Sequence, residues 1–398
     1  MKRIITFVLL TFAGIALFAQ SDELAVWSEM FDNAKTLEEQ LVYVKTVSDG
    51  NLSGAEDFYA KALDRLVLEC PNIKTQAEWD AAESIARILT ARLGEAKYAA
   101  AAGNLWQIVG YFQNPLIKSD ALIALGQTGN KDLLPQVVQL LQDLNAQPQS
   151  DREMRERFER IAYGAIIGLE HFRDPSGYLP VFFASTGWYA ERIKNQASIS
   201  LPNIMDDPTE PLLEVLGSPG YVYDIKYLAL RTSERSQSPD ENKAKVAVSA
   251  LTEGWKASTN DVHQRQVLSQ MRKSALSMIR RYGTTDSAVY TQLDKSYSNQ
   301  LVDMDEKLAA IQTLAALASE DSARLLSGYL RIIHQRRQAG TLTVNDEQLV
   351  RVIIPALGNV GAVGRSQARP VLLLVQQSPD WTNNVKNLAA EALRKIGN

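Results

Sequence analysis

The stretch IKSDALIALGQTG, from Ile117 to Gly129, decides the fold, and VKNLAAEALRKIG, from Val385 to Gly397, repeats its pattern. In both, an apolar residue precedes lysine, alanine follows the lysine by three positions, an aliphatic residue follows by seven, and glycine follows by eleven. Looser copies give eight in all, with a mean spacing of about 38 residues, which is typical of arrays of helical hairpins. The copies begin at Lys118, Ala162, Lys194, Lys226, Arg272, Lys307, Val350 and Lys386.

The pattern predicts one face of an α-helix, because residues at i, i+4 and i+8 share a face. The central residue of that face is alanine in seven copies, and a small side chain allows a second helix to approach closely. Glycine after the helix suits a left-handed C-cap; it occurs at Gly129, Gly283, Gly361 and Gly397. A second apolar helix follows each stop, and proline is tolerated in its first turn; the predicted helix starts contain Pro135, Pro180, Pro211 and Pro370.

The alternation of a Pro-Leu-Leu-type helix with an Ile-Lys-x-x-Ala-x-x-Ala-Leu-Gly-x-x-Gly helix resembles HEAT repeats, including the short form found in phycobilisome-lyase-type proteins. The resemblance covers roughly residues 95–398. It implies an all-α, right-handed α-α superhelix, an armadillo-like solenoid of about eight to nine helix pairs. It also implies that the recurring basic residues form polar ladders between adjacent repeats. Two copies depart from the pattern, with Ser233 at the aliphatic position and with Val350 and Ile353 replacing the basic residue and the alanine.

Three segments are predicted along the chain. Residues 1–19 have the layout of a signal peptide, with Lys2 and Arg3 before an apolar run that is too short to span a bilayer. Residues 20–94 read as an N-terminal helical cap with degenerate repeats, since terminal units must seal the core. Residues 95–398 form the solenoid. The long spacings between alanines 121 and 165, and between 229 and 275, are interpreted as loop insertions; the short segment from Thr341 to Val344 is predicted to be loop.

The signal segment predicts an exported protein, periplasmic or secreted, with no membrane span once the segment is cleaved; a retained anchor is the alternative. The formal net charge is −4, and an acidic chain argues against a nucleic-acid partner. The single cysteine, Cys70, allows no intramolecular disulfide and is predicted to be a partly buried bystander.

The sequence offers no convergent set of reactive side chains. The three histidines, His171, His263 and His334, lie in different repeats without ligand-spaced partners, and each is predicted at the surface or at a helix end. No phosphate-binding loop or nucleophile motif appears. We therefore expect no metal, no cofactor, no catalytic residue and no enzymatic activity.

One local feature points to a partner. Five aromatic residues fall within residues 178–189, and aromatic side chains are favoured in binding hot spots. Tyr178, Trp188 and Tyr189 are the candidate partner-binding residues, with Trp188 and Tyr189 expected at an exposed turn. The alternative is that they pack against the neighbouring repeat.

These features predict a non-catalytic, exported bacterial scaffold or adaptor that binds a protein or peptide. A structural subunit of a cell-envelope or motility assembly is the first alternative. A HEAT-type lyase acting on bilins, or an enzyme that excises damaged bases, is a further one that the resemblance implies and that export and acidity disfavour.

Overall fold

The structure is a computed structural model that describes residues 23–256 and 259–397. These residues form α-helices joined by short turns and 3-10 turns, and the described part of the chain contains no β-strand. The predicted all-α fold class is confirmed, and the helices pack as successive hairpins. The predicted signal peptide, residues 1–19, lies outside the described residues. The chain divides into two compact units at Met205.

The first unit contains ten helices among its described residues, of which α1 comprises residues 23–33. The others are α2 (Leu37–Asp49), α3 (Glu56–Glu69), α4 (Gln76–Glu95), α5 (Ala102–Tyr111), α6 (Pro115–Thr128), α7 (Leu134–Asn145), α8 (Arg152–Phe172), α9 (Tyr178–Thr186) and α10 (Glu191–Ile204). Helices α3–α4, α5–α6, α7–α8 and α9–α10 pair as hairpins, and the even-numbered helices from α2 to α10 pack on one another in chain order. We call this layer the even-helix layer of the first unit.

The second unit continues the same arrangement. Its helices are α11 (Thr209–Gly217), α12 (Tyr223–Arg235), α13 (Asp240–Lys256), α14 (Val262–Tyr282), α15 (Val289–Ser298), α16 (Met304–Leu317), α17 (Glu320–Gln338), α18 (Val344–Val360), α19 (Arg365–Gln377) and α20 (Asn383–Ile396). Each odd-numbered helix pairs with the even-numbered helix that follows it. Helices α12, α14, α16, α18 and α20 pack successively as the even-helix layer of this unit.

The recurring pattern lies on the second helix of eight hairpins, α6 to α20, as the sequence predicts. Its central residue is completely buried in every copy: Ala121, Ala165, Ala197, Ala229, Ala275, Ala310, Ile353 and Ala389. The closest helix approaches depend on glycine as well as alanine. A Cβ added to Gly126 on α6 would lie 2.3 Å from the carbonyl oxygen of Gly168 on α8. Small side chains therefore set the spacing of the stacked helices.

The predicted helix ends are largely confirmed. The four predicted capping glycines have φ between 69° and 80°. Only Gly129, with ψ at 3°, has the predicted left-handed helical conformation; at Gly283, Gly361 and Gly397 ψ is 175°, −152° and 158°. Pro135 lies in the first turn of α7, and Pro180 and Pro211 are third residues of α9 and α11. The prediction for Pro370 is wrong. Helix α19 begins at Arg365, directly after the 3-10 turn Gly361–Gly364, so this proline lies inside the helix.

The interpretation of the long spacings as loop insertions is wrong for most of their length. Helices α8 and α14 each contain 21 residues, whereas α6, α10, α16 and α20 contain 14. Asp151 and Asp261 cap the N-termini of these long helices by accepting hydrogen bonds from backbone N–H groups. The added residues therefore extend helices. The segment 341–343 is loop, as predicted, and Thr343 caps α18.

Candidate functional site

The aromatic residues near the start of α10 are mostly buried. Tyr178 is 1% exposed and Tyr189 is 2% exposed, while Trp188 is half-buried. The indole Nε1 of Trp188 donates a hydrogen bond to the carbonyl oxygen of Leu144, 3.2 Å away, and its ring lies 4.3 Å from that of Tyr189. The exposure expected at Tyr189 is therefore wrong, because this tyrosine packs beneath the tryptophan. The partner-binding role of the three residues stays a prediction, and Trp188 is the most solvent-exposed of the three.

A groove of the first unit lies on its even-helix layer, across α2, α4 and α6. It encloses about 850 Å³. We call it the N-terminal groove. It is lined by Leu41, Lys45, Ser48, Ser84, Arg87, Ile88, Thr90, Ala91, Arg92, Glu95, Asp120, Ile123 and Gln127.

The local sequence of α4 explains why these side chains face the groove. Thr75 and Glu78 form a capping box that fixes the start of the helix. A stripe including Ile85 and Leu89 is buried, which turns Arg87 and Ile88 towards the groove. The side of α4 that faces the groove therefore carries both charged and apolar side chains.

Arg92 joins α4 to the end of α2. Its Nε and Nη2 atoms donate hydrogen bonds to the hydroxyl and carbonyl oxygens of Ser48, at 2.9 and 2.8 Å, and Nη1 lies 3.2 Å from Glu95. A cation at a helix C-terminus is stabilised by the helix dipole. Arg92 therefore connects α4 to α2 and is also one of the residues that line the groove.

Arg87 and Lys45 have a different environment. Arg87 is 65% exposed, and its Nε lies 3.8 Å from a carboxylate oxygen of Asp120. Lys45 is exposed and has no ion-pair or hydrogen-bond partner among the described residues. Burial raises the pKa of Asp120, and Arg87 and Arg160 oppose that rise. The groove thus presents the cations of Lys45 and Arg87 and the carboxylates of Asp120 and Glu95 beside the apolar side chains of Ile88 and Ile123.

The predicted polar ladder is found at two of the six recurring basic residues. Lys226 on α12 forms a buried ion pair with Glu253 on α13 at 3.1 Å. Arg272 on α14 pairs with Glu306 on α16 at 2.7 Å. The other four, Lys118, Lys194, Lys307 and Lys386, are half-buried and form no ion pair with an adjacent repeat in the described ranges. The ladder therefore stabilises the second unit, and it offers no open reactive site.

The histidines lie apart from one another and each lies at the surface or near a helix end, as predicted, but His334 near the end of α17 is buried. His171 and His263 are exposed, whereas His334 is 5% exposed. The Nδ1 atom of His334 accepts a hydrogen bond from the indole Nε1 of Trp381 at 3.0 Å. Trp381 follows α19 and covers the histidine, which is why its position near a helix end does not expose it.

The groups that could supply metal or thiol chemistry are few. Within residues 23–256 and 259–397, no group of three or more His, Cys, Asp or Glu side chains could hold a metal ion. Cys70 is buried, as predicted, and burial raises the pKa of its thiol to about 11. In the same ranges, no helix combines the length and the apolar character that crossing a bilayer requires.

Sequence reasoning did not find the N-terminal groove. Lys45, Arg87 and Asp120 are ordinary charged residues in the sequence, separated by more than 30 positions. The available signal was the helical periodicity of residues 76–95, which places Ser84, Arg87 and Ala91 opposite the buried stripe. That signal gives a solvent-facing side, but only the stacking of α2, α4 and α6 turns it into a groove.

No protein-family model matches the chain, and no curated protein matches it significantly. Among solved structures, human deoxyhypusine hydroxylase in complex with glycerol is similar, with 14% sequence identity and a TM-score of 0.27. The similarity covers 75% of this chain and 96% of that chain. Because the similar protein is an enzyme, the prediction that this chain is not an enzyme is corrected. A likeness this weak assigns no activity to the chain and leaves its family open.

Proposed function

We propose that the chain is an exported scaffold or adaptor that binds a polypeptide segment of another protein in the N-terminal groove. The observation that carries the proposal is the groove itself. Three successive helices of the even-helix layer line it, Lys45 enters it, and Arg87 forms only a long, largely exposed ion pair with Asp120. Export rests on the signal-peptide layout of residues 1–19.

The lining favours a polypeptide over a compact small molecule. Ligand pockets for small molecules are mostly apolar with a few convergent polar groups. Here the lining is largely polar and charged, and Lys45, Arg87 and Asp120 come from three different helices. A segment that crosses the helices can place a carboxylate near Arg87 and an apolar side chain against Ile88.

Photo-crosslinking in the native cell tests this proposal. A photoreactive amino acid at Ile88 should capture one defined protein, and the adduct should be lost when Lys45→Glu and Arg87→Glu are added. The control position is Leu68 on α3, which is 74% exposed and lies outside the groove. If Ile88 gives no adduct beyond those at Leu68, or if the charge reversals leave its adduct unchanged, the proposed function is wrong.

Export is tested separately. The N-terminus of the protein recovered from the cell envelope should begin near Gln20 if the signal is cleaved. Recovery of the full-length chain only in the cytosol would contradict export while leaving groove binding to be judged by the crosslinks.

The partner surface includes Trp188 in this proposal. The ring is half-buried, and the guanidinium of Arg155 lies 5.9 Å from its centroid. The ring of Tyr189 packs against the tryptophan, and Tyr178 is buried. Trp188→Ala should weaken partner capture more than Tyr111→Ala, a change at an aromatic residue with 39% exposure at the end of α5.

A further inference from the structure

A buried hydrogen bond joins His334, near the end of α17, to Trp381, in the turn between α19 and α20. The indole Nε1 of Trp381 donates to the imidazole Nδ1 of His334 at 3.0 Å, and each residue is 5% exposed. An indole N–H group can only donate a hydrogen bond. Nδ1 of His334 therefore carries no proton in this arrangement, and the imidazole is the neutral form with its proton on Nε2.

Protonation of this imidazole is incompatible with the hydrogen bond. An imidazolium ion carries a proton on both ring nitrogens and has no acceptor. The N–H groups of Trp381 and His334 would then face each other in a site to which water has little access. A buried donor without an acceptor is destabilising, and a buried charge without a partner is more so. Uptake of a proton by His334 therefore opposes the packing of Trp381.

The charges nearest to the hydrogen bond do not favour an imidazolium ion. The guanidinium of Arg337, three residues after His334 on the same helix, lies 5.6 Å from the ring centroid of Trp381. Arg331 lies three residues before the histidine. In the turn, the carboxylate of Asp380 accepts a hydrogen bond from the hydroxyl of Ser378 at 3.2 Å. Of the three histidines, only His263 forms an ion pair among the described residues.

The helices packed on α17 bring no free carboxylate to the histidine. Helix α19 has two charged residues, Arg365 and Arg369, and both are cations. The exposed or half-buried charged residues of α15, α16 and α18 include Lys295, Asp305, Lys307 and Arg351. The remaining carboxylates of these helices have partners: Asp294 with Tyr329, Glu306 with Arg272, Asp346 with Arg336, and Glu347 with Arg337.

The hydrogen bond fixes the turn that leads into α20. Trp381 directly precedes Thr382, the N-cap residue of α20, and the side chain of Thr382 makes no capping hydrogen bond. The Nε atom of Arg337 donates to the backbone carbonyl of Asp380 at 2.8 Å, so α17 holds the turn at two adjacent residues. Helix α20 packs mainly on α18 and α19, and terminal elements open more easily than a core. Loss of the contact at Trp381 therefore loosens α20 before the rest of the unit.

We propose that the hydrogen bond between Trp381 and His334 is a pH-sensitive switch. It holds the start of α20 in place when the imidazole is neutral and releases it when the imidazole is protonated. Histidine is the side chain that ordinarily changes charge between about pH 5 and 8, so release occurs in mildly acidic solution. Because the held state has the neutral imidazole, protection of α20 is complete at higher pH and is lost as pH falls.

The switch lies entirely in the second unit. It involves none of the residues of the N-terminal groove, so the inference does not depend on the proposed function.

Hydrogen exchange of the full chain at pH 7.5 and pH 5.5, corrected for the intrinsic exchange rate, tests the switch. In the wild type, protection of the α20 amides should fall at least about tenfold over this interval, since uptake of one proton gives up to about tenfold per pH unit. His334→Gln keeps an acceptor for the indole N–H but does not titrate, so its α20 should be equally protected at both pH values. The matched control is His263→Gln, at an exposed histidine 3.2 Å from Asp224, which should keep the wild-type loss.

The switch is excluded if α20 of the wild type is equally protected at both pH values, or if His334→Gln loses as much protection as the wild type. Equal losses in α20 and α12 would show global acid unfolding and would also contradict a local switch. A second measurement needs no substitution. Nitrogen NMR of the histidine-labelled wild type should show Nδ1 of His334 without a proton at pH 7.5, and a protonated Nδ1 would overturn the inference even if the variant does not fold.

Discussion

Arg272 on α14 forms two parallel hydrogen bonds with Glu306 on α16, from Nε and Nη2 at 2.7 and 3.0 Å. The carboxylate is completely buried, and the arginine side chain is 12% exposed. The same guanidinium donates to the carbonyl oxygen of Gly254 at 3.1 Å and lies 4.3 Å from the ring centroid of Trp255. One recurring basic residue thus connects three helices of the second unit.

Removing the carboxylate of this pair should destabilise the chain strongly. Glu306→Gln leaves a nearly buried guanidinium without its counter-charge, and breaking a buried pair costs about 3–5 kcal/mol. The measurement is the free energy of unfolding in urea. The control is Glu156→Gln, which breaks the ion pair with Arg152. The side chain of Arg152 is 92% exposed and that of Glu156 is 64% exposed, so this change should cost less than about 1 kcal/mol. Equal losses in the two variants would contradict a structural role for the pair.

Adding one methyl group between α6 and α8 should also destabilise the chain. A Cβ on Gly168 would lie 2.5 Å from the carbonyl oxygen of Leu122, and a backbone atom cannot move aside easily. Gly168→Ala should cost about 1–3 kcal/mol in unfolding free energy. Gly110→Ala, in α5 with open space around its Cβ position, should instead stabilise by about 0.5–1 kcal/mol. The prediction fails if both changes have the same sign.

Cys70 should be unreactive in the folded chain. Its side chain is 3% exposed, and burial raises the pKa of the thiol to about 11, so the thiolate is scarce at neutral pH. A thiol reagent at pH 7.5 should modify the native chain much more slowly than the urea-unfolded chain. Equal rates in the two states would show that Cys70 is accessible.

Asp174 should contribute stability that is lost in acid. A hydrogen bond from Lys131, with Nζ 2.9 Å from the carboxylate, is the main cause that lowers its pKa, and Ser176 adds to it. A lowered pKa in the folded state means that the contribution is complete above the unfolded value near 3.9 and disappears as pH falls through the folded value. At pH 6, the Asp174→Asn variant should therefore unfold at a lower urea concentration than the wild type. This difference in the unfolding midpoint should vanish in strong acid. A difference that is constant with pH would exclude this linkage.

The eight copies of the pattern fixed much of the architecture in advance. Alanine at the centre of an apolar helix face suits a helix that packs closely on a neighbour, and all seven alanines at this position are buried. Glycine eleven residues after the basic position correctly predicted where helices end, because the positive φ found there is strained for other residues. The pattern could not show that the added residues between distant copies lengthen α8 and α14, since a polar N-terminal extension of a helix has the same composition as a loop.

The sequence by itself determined the helical class, the repeat period and the identity of the buried face, because these depend on residues close together in the chain. Only the tertiary structure decided which exposed residues share a surface. Lys45, Arg87 and Asp120 meet because α2, α4 and α6 stack, and Tyr189 is buried because Trp188 covers it.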